Sequence, residues 1–145
     1  MSFEIVKDHN DKGAKQLPIS SITVVKGDLL ERLVGATTWV LTTAASEHWT
    51  RKAIAEEAAT TADTEVLATE LDGTEDVKVE TANNSAAADN GDRMLLTDAN
   101  TVNNTGTDST AEEACFVQDG NVGAAADKRI LGRVIVGAGV NPDAA

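Results

Sequence analysis

The stretch Asp76-Val77-Lys78-Val79-Glu80-Thr81 decides the fold class of this chain. Its residues alternate one by one, so the two valines and the threonine fall on one face of an extended chain, while the lysine and the glutamate, with Ala82, fall on the other. A period of two is the pattern of a half-buried β-strand. The stretch therefore predicts a strand over 76–82 with one face in the core and one face in water.

Short β-prone runs of the same kind recur on both sides of this stretch and are separated by turn residues. Their close spacing is typical of all-β barrels and sandwiches. The pair Asn90-Gly91 is the best candidate for a hairpin turn, because both residues tolerate a positive φ, although the Ala- and Asn-rich residues before it allow a longer loop. The runs predict strands near 20–26, 28–34, 37–43, 64–71, 76–82, 92–97, 113–118 and 129–136.

The segment from Ser46 to Ala62 leaves two alternatives open. Ser46 can cap a helix rich in good helix formers, which would give one short helix near 46–60. The run from Thr50 to Ala55 also fits a short strand, and the threonines at 60–61 would end a helix early. The strand is the favoured alternative.

The length of 145 residues fits one domain that is large enough to bury a core without disulfides. We expect a polar N-terminal arm over 1–17, a β-barrel domain over 18–137 and a C-terminal tail over 138–145. Residues 98–112 are almost all polar, which predicts a long loop. Loops of that length usually have a function or move.

The net charge, the single cysteine and the short apolar runs limit which partners, cross-links and membrane segments we expect. The chain has 24 acidic and 12 basic residues, a formal net charge of −12, so its surface would repel a phosphate backbone and we expect no nucleic-acid partner. Cys115 is the single cysteine, which excludes an intrachain disulfide, and we expect it to be buried. The longest uncharged apolar run, 134–140, is far shorter than the ~20 residues of a membrane span, so we expect no membrane segment.

The residue types that carry chemistry are few and scattered. His9 and His48 lie far apart with no neighbouring ligand residues, which argues against a metal site. The Gly137-Ala138-Gly139 stretch lacks the third glycine and the following helix of a dinucleotide site. The acidic loop 72–76 does not have the spacing of a calcium-binding loop and is expected to be a solvated turn.

The adjacent carboxylates Glu56-Glu57 and Glu112-Glu113 would point to opposite faces of a strand and so would not act together. The sequence therefore predicts no catalytic, cofactor-binding or metal-binding residues, and we expect a protein without enzymatic activity and without a cofactor.

Three cations, Lys128, Arg129 and Arg133, cluster near the last predicted strand. Local pairing with the surplus carboxylates is the favoured interpretation, and a dedicated contact patch is the alternative. The aliphatic run 130–136 is predicted to be a core strand. At a sheet edge, the same run would be a site for pairing with another subunit.

Several short motifs form a series over about residues 17–137. They are Val25-Lys26-Gly27-Asp28-Leu29-Leu30, Arg51-Lys52-Ala53-Ile54-Ala55-Glu56-Glu57-Ala58, Asp76-Val77-Lys78-Val79, Phe116-Val117 and Asp127-Lys128-Arg129-Ile130-Leu131-Gly132. In order and texture, this series resembles the small decoration proteins, also called cement proteins, of tailed-virus (bacteriophage) heads.

The resemblance implies a small β-barrel or β-tulip body, or a sandwich, with an extended terminal arm that orders on binding. It also implies a non-enzymatic structural protein, made in the host cytoplasm, that becomes part of the virion. Such a protein would bind the outer surface of the capsid, stabilise it by bridging subunits of the major capsid protein, and self-associate there as a homotrimer. Two alternatives remain: another phage β-structural subunit, in the tail tube or the head–tail joint, and a salt-adapted soluble ligand-binding β-barrel.

Overall fold

The computed structural model describes residues 3–10, 13–107 and 114–139, and the regular structure of this part of the chain is almost entirely β. The prediction of an all-β fold is confirmed. Two short 3₁₀ turns, Ala87–Asp89 and Ala125–Asp127, are its helical segments. Its strands are β1 (Glu4–Lys7), β2 (Lys15–Pro18), β3 (Leu29–Arg32), β4 (Val40–Leu41), β5 (Arg51–Ala55), β6 (Glu65–Glu70), β7 (Asp76–Thr81), β8 (Arg93–Asp98), β9 (Thr101–Thr107), β10 (Phe116–Asn121) and β11 (Arg129–Val134).

Strand β7 is the junction of a closed five-stranded barrel in the order β7-β11-β10-β8-β9. One edge of β7 pairs antiparallel with β11. β1 pairs antiparallel with the first half of β7, and β9 closes the barrel by pairing parallel with its last two residues. The predicted alternation is confirmed, since Val77, Val79 and Thr81 are at most 4% exposed while Lys78 and Glu80 are partly exposed.

The remaining strands form a half-barrel in the order β2-β6-β5-β3-β4, with every neighbouring pair antiparallel. Its two outer strands approach each other where Ile19 and Trp39 form a single parallel bridge. The Trp39 backbone N–H donates to the Pro18 carbonyl oxygen at 2.8 Å. The second sheet is therefore curved until its edges almost meet.

Strands β3 and β5 lie between two hydrophobic cores. Leu29 and Ile54 belong to the core inside the closed barrel, whereas Leu30, Ala53 and Ala55 belong to the core inside the half-barrel. Because both faces of these strands are covered, their buried residues run on without alternation. The shared strands join the barrel and the half-barrel into one body.

The half-barrel core is built around Trp39, which is 1% exposed. Small side chains leave the volume that the indole ring fills, as close packing requires. The guanidinium carbon of Arg51 lies 5.4 Å from the centre of the ring, within the range of a cation–π contact. The alanines of this core are Ala53, Ala55, Ala59 and Ala68.

The structure corrects the prediction of an N-terminal arm over 1–17. The segments 4–7 and 15–18 are strands of the two sheets, and Phe3 is 2% exposed. The Phe3 ring packs in the barrel core, with its centroid 6.2 Å from that of Phe116. Burial of the Phe3 ring holds a polar segment against the body. The composition of that segment does not reveal this contact.

Two further predictions are wrong over part of their length. The expected strand at 20–26 is broken, because Ser21 has φ 54° and only Val24 pairs, in a single bridge with Ala59. The expected loop at 98–112 contains strand β9 over 101–107, while residues 108–112 lie outside the described residues.

The structure decides the remaining alternatives. The 46–62 segment contains strand β5 and no helix, in agreement with the favoured alternative. β11 lies between β7 and β10 and is therefore a core strand, not an edge. Asn90-Gly91 does not close a two-residue hairpin: it ends the long connection from β7 to β8, two strands that do not pair. Of the expected tail at 138–145, only residues 138–139 are described.

Replacing Phe3 by alanine tests whether the N-terminal strand is part of the body. We expect Phe3→Ala to lower the free energy of unfolding by about 3–5 kcal/mol, because it removes a buried ring and leaves a cavity. Urea unfolding followed by tryptophan fluorescence measures the change.

Val6→Ala on the same strand is the matched control, because Val6 is 52% exposed. We expect it to change the free energy of unfolding by less than about 0.5 kcal/mol. Equal effects of the two substitutions would show that the segment does not pack against the barrel.

Candidate functional site

The histidines singled out in the sequence stay apart in the structure. The Nε2 atom of His9 lies 3.2 Å from a carboxylate oxygen of Asp76, and both side chains are exposed. His48 lies in the loop before β5. Within 3–10, 13–107 and 114–139, no three His, Cys, Asp or Glu side chains come together in a group that could hold a metal ion.

The acidic loop 72–76 is held by its own hydrogen bonds. Glu75 is 1% exposed, and its carboxylate accepts hydrogen bonds from the backbone N–H groups of Asp72 and Gly73 at 3.1–3.3 Å. Asn10 donates from its side chain to both Asp72 and Thr74. The expectation of a solvated turn is therefore wrong for Glu75, whose carboxylate is buried and supports the turn.

The basic cluster near β11 supports the interpretation of local pairing. Arg133 lies 3.3 Å from a carboxylate oxygen of Asp119. Arg129 stands opposite Glu80 in the register of β11 with β7. Lys128 adopts the left-handed conformation, with φ 54°, where the chain enters β11.

The carboxylates of the Glu56-Glu57 pair have separate surroundings. Glu56 accepts a hydrogen bond from the hydroxyl of Thr69 at 3.0 Å, and Glu57 is exposed. Glu112-Glu113 lies outside the described residues.

Lys52 is the most unusual ionisable residue of the described chain, because it is the second residue of β5 and is 0% exposed. Its Nζ donates to the backbone carbonyl oxygens of Glu47 at 2.8 Å and Ile135 at 3.1 Å, and lies 3.4 Å from that of Thr50. These acceptors belong to the loop before β5 and to the chain after β11. The ammonium group therefore cross-links two segments that are distant in sequence.

Burial lowers the pKa of Lys52, while the nearby groups of Cys115 and Glu31 act in the opposite direction. Cys115 is also 0% exposed, as the sequence predicted, and its thiol donates to the Ser46 carbonyl oxygen at 3.2 Å. Because neither side chain has surface in contact with solvent, a dissolved molecule does not reach the amine or the thiol. The cluster therefore holds the loop before β5 to the chain after β11.

Glycines let the chain after β11 approach this cluster closely. The N–H groups of Gly137 and Gly139 donate to the carbonyl oxygens of Thr50 and Trp49 at 3.0 and 2.9 Å. A Cβ atom on Gly137 would lie 2.2 Å from the Trp49 carbonyl oxygen. The Gly137-Ala138-Gly139 stretch is thus a backbone contact.

A cleft of about 220 Å³ opens beside the Lys52 cluster, and Glu31, Ser46, Glu47 and Trp49 are among the residues that line it. The Ser46 hydroxyl donates to Glu31 and accepts from the Thr43 N–H at 2.8 Å. The Trp49 indole N–H donates to Glu47. Both carboxylates therefore already have partners within the protein.

Three exposed apolar side chains lie in and directly after the β3–β4 connection, and one of them, Leu33, also lines this cleft. They are Leu33, Val34 and Val40, which are 45%, 61% and 47% exposed and are together called the β3–β4 patch. Val40 belongs to β4, the short outer strand of the half-barrel. Exposed apolar side chains on a strongly charged surface are candidates for a contact site.

Sequence reasoning missed both Lys52 and the β3–β4 patch. A lysine between Arg51 and Ala53 reads as a surface residue, and the only available signal was its place in a strand candidate. The Leu33-Val34 pair before Gly35 is a weak signal of the patch, but the run 28–34 predicts one continuous strand.

Comparisons with protein-family models, with curated proteins and with solved structures find no significant match to this chain. In the part of the chain that the structure describes, no helix has the length and apolar character needed to cross a membrane.

Replacing Lys52 by methionine tests its role as a cross-link. We expect Lys52→Met to lower the free energy of unfolding by about 1–3 kcal/mol at neutral pH, because buried carbonyl groups lose their donor. Lys15→Met is the control: Lys15 is 61% exposed and lies 3.3 Å from Glu70, and an exposed ion pair contributes at most about 1 kcal/mol.

Comparing the wild-type protein with Lys52→Met also predicts how stability changes with pH. Folding lowers the pKa of Lys52 from its ordinary 10.5, so below that pH the unfolded chain binds more protons than the folded one. Stability then rises with pH. We expect the stability of the wild-type protein relative to Lys52→Met to increase as the pH rises toward 10.5, measured by urea unfolding at several pH values. If the difference in free energy of unfolding stays constant or shrinks as the pH rises, it contradicts the burial of the Lys52 ammonium.

Proposed function

We propose that this chain is a non-enzymatic structural protein of a bacteriophage virion that binds the outer surface of the capsid and bridges subunits of the major capsid protein. The observation that carries the proposal is the β3–β4 patch, an exposed apolar contact surface on a body whose most unusual ionisable cluster is closed to solvent. The resemblance to decoration proteins names the partner.

The body suits a mechanical role. The half-barrel strands β3 and β5 contribute side chains to both cores, so a load applied at the β3–β4 connection passes directly into both. The interiors of such cores are close-packed and deform little. A subunit of this kind resists displacement of the capsid subunits to which it is attached.

The patch is small, so we propose that affinity comes from repetition on the shell. Burying one valine or leucine side chain contributes about 1.5–3 kcal/mol. Three such side chains give a modest contact once the cost of association is subtracted. A homotrimer on the capsid would present three patches together, and linked contacts raise the overall affinity far above that of one.

The net charge of −12 supports a partner with a basic face, because opposite charges speed encounter and orient the two surfaces. The proposal does not use an N-terminal arm, since residues 3–7 and 15–18 belong to the body. The contact is therefore made by a preformed surface.

Co-sedimentation with empty, expanded capsids of the parent virus tests the proposal. We expect the wild-type protein to sediment with the shells, and Val34→Asp to bind at least about tenfold more weakly, the equivalent of about 1.4 kcal/mol. Val25→Asp is the matched control: Val25 is 60% exposed and precedes β3, whereas Val34 follows it. We expect this control to bind like the wild type.

The outcomes distinguish an error in the proposed function from an error in the proposed contact surface. Failure of the wild-type protein to sediment would overturn the proposed function, whereas equal binding of all three proteins would overturn the patch alone. Light scattering after size exclusion adds a second criterion, because a ring or tube formed by the isolated protein would indicate a tail-tube or joining subunit instead.

A further inference from the structure

Asn90-Gly91 is the only Asn-Gly pair in the sequence. This dipeptide has a known spontaneous reaction: the backbone nitrogen of the glycine attacks the side-chain carbonyl carbon of the asparagine. The new C–N bond closes a five-membered succinimide and ammonia leaves. Water then opens the ring to aspartate or isoaspartate. Glycine favours the attack because it has no Cβ to hinder the approach.

The local structure places the pair in an accessible turn. Asn90 and Gly91 are exposed and follow the 3₁₀ turn at Ala87–Asp89. Gly91 has φ 89°, a conformation that other residues rarely adopt. Water therefore reaches the site, and Gly91 is required there by the backbone.

Both reacting groups of the pair are bound to one residue, Gln118 of β10. The Gly91 N–H donates to the Gln118 carbonyl oxygen at 2.7 Å, and the Gln118 Nε2 donates to the Asn90 Oδ1 at 2.9 Å. Gln118 is itself 0% exposed. Its side chain is fixed further by the Ala86 carbonyl oxygen at 2.8 Å and the Asn121 Oδ1 at 3.2 Å.

These two hydrogen bonds oppose the two changes that the reaction needs, which are loss of the Gly91 proton and rotation of the Asn90 amide. The Gly91 nitrogen must lose its proton to act as a nucleophile, and a hydrogen bond to a carbonyl oxygen holds that proton. The Asn90 side-chain carbonyl carbon must approach the nitrogen, and the bond from Gln118 restrains rotation of the amide group. Both restraints disappear when the turn detaches from β10.

We propose that Asn90 is a site of spontaneous deamidation that the fold suppresses through Gln118, which acts as a positioning residue. The rate of deamidation then depends on how often the turn detaches from β10. The isoaspartate product lengthens the backbone by one carbon and adds a negative charge, so it breaks the Gly91–Gln118 bond. The modification therefore loosens this end of the barrel irreversibly.

Incubation of the full-length protein at mildly alkaline pH tests the proposal, with peptide mass mapping of the increase of one mass unit at Asn90. We expect the folded protein to react at least about tenfold more slowly than the same chain unfolded in urea, a factor equivalent to about 1.4 kcal/mol. Equal rates in the two states would overturn the proposal.

Gln118→Met removes the side-chain donor at nearly unchanged length. We expect it to speed deamidation about two- to tenfold below its thermal transition, the range that corresponds to one hydrogen bond. Ser85→Ala is the matched control: Ser85 is buried and precedes Ala86, whose carbonyl oxygen binds Gln118, and its hydroxyl has no hydrogen-bond partner among the described residues.

We expect Ser85→Ala to react at the wild-type rate. If Gln118→Met and Ser85→Ala react equally fast, Gln118 does not control the site. If Gln118→Met does not fold, the comparison of folded and urea-unfolded wild-type protein decides alone.

Discussion

The pairing of β7 with three other strands is the constraint on which the rest of the structure depends. One edge of this strand binds β11, and the other is divided between β1 and β9. The division closes the barrel and attaches the N-terminal strand at the same time. The inward side chains of β7, Val77, Val79 and Thr81, must then be buried on the same face, which a strict period of two provides.

The half-barrel depends on the barrel through shared elements. β3 and β5 give one face to each core, and Lys52 ties the loop before β5 to the chain that leaves β11. Removing the Lys52 ammonium leaves buried carbonyl groups of both segments without a donor. The loss of folding free energy therefore affects both sides of the junction. The exposed apolar residues of the β3–β4 patch form the surface that we propose binds the capsid.

The sequence predicts the strands whose apolar residues alternate or cluster, and it fails where the buried residues of a strand are polar or few. β7 and β11 were found because their apolar residues alternate or cluster. β9 was missed because Asn104, a polar residue, is buried as a clamp on the 83–84 backbone. Lys52 and the N-terminal strand were missed because a buried amine and a single buried ring, Phe3, are properties of tertiary contacts.

Native-state hydrogen exchange tests the central role of β7 most directly. The account predicts that the hydrogen-bonded amides of β7 and β11 exchange only through global unfolding, with an opening free energy equal to that from urea unfolding. Exchange of the β7 amides through a smaller opening, while the half-barrel strands stay protected, would contradict it.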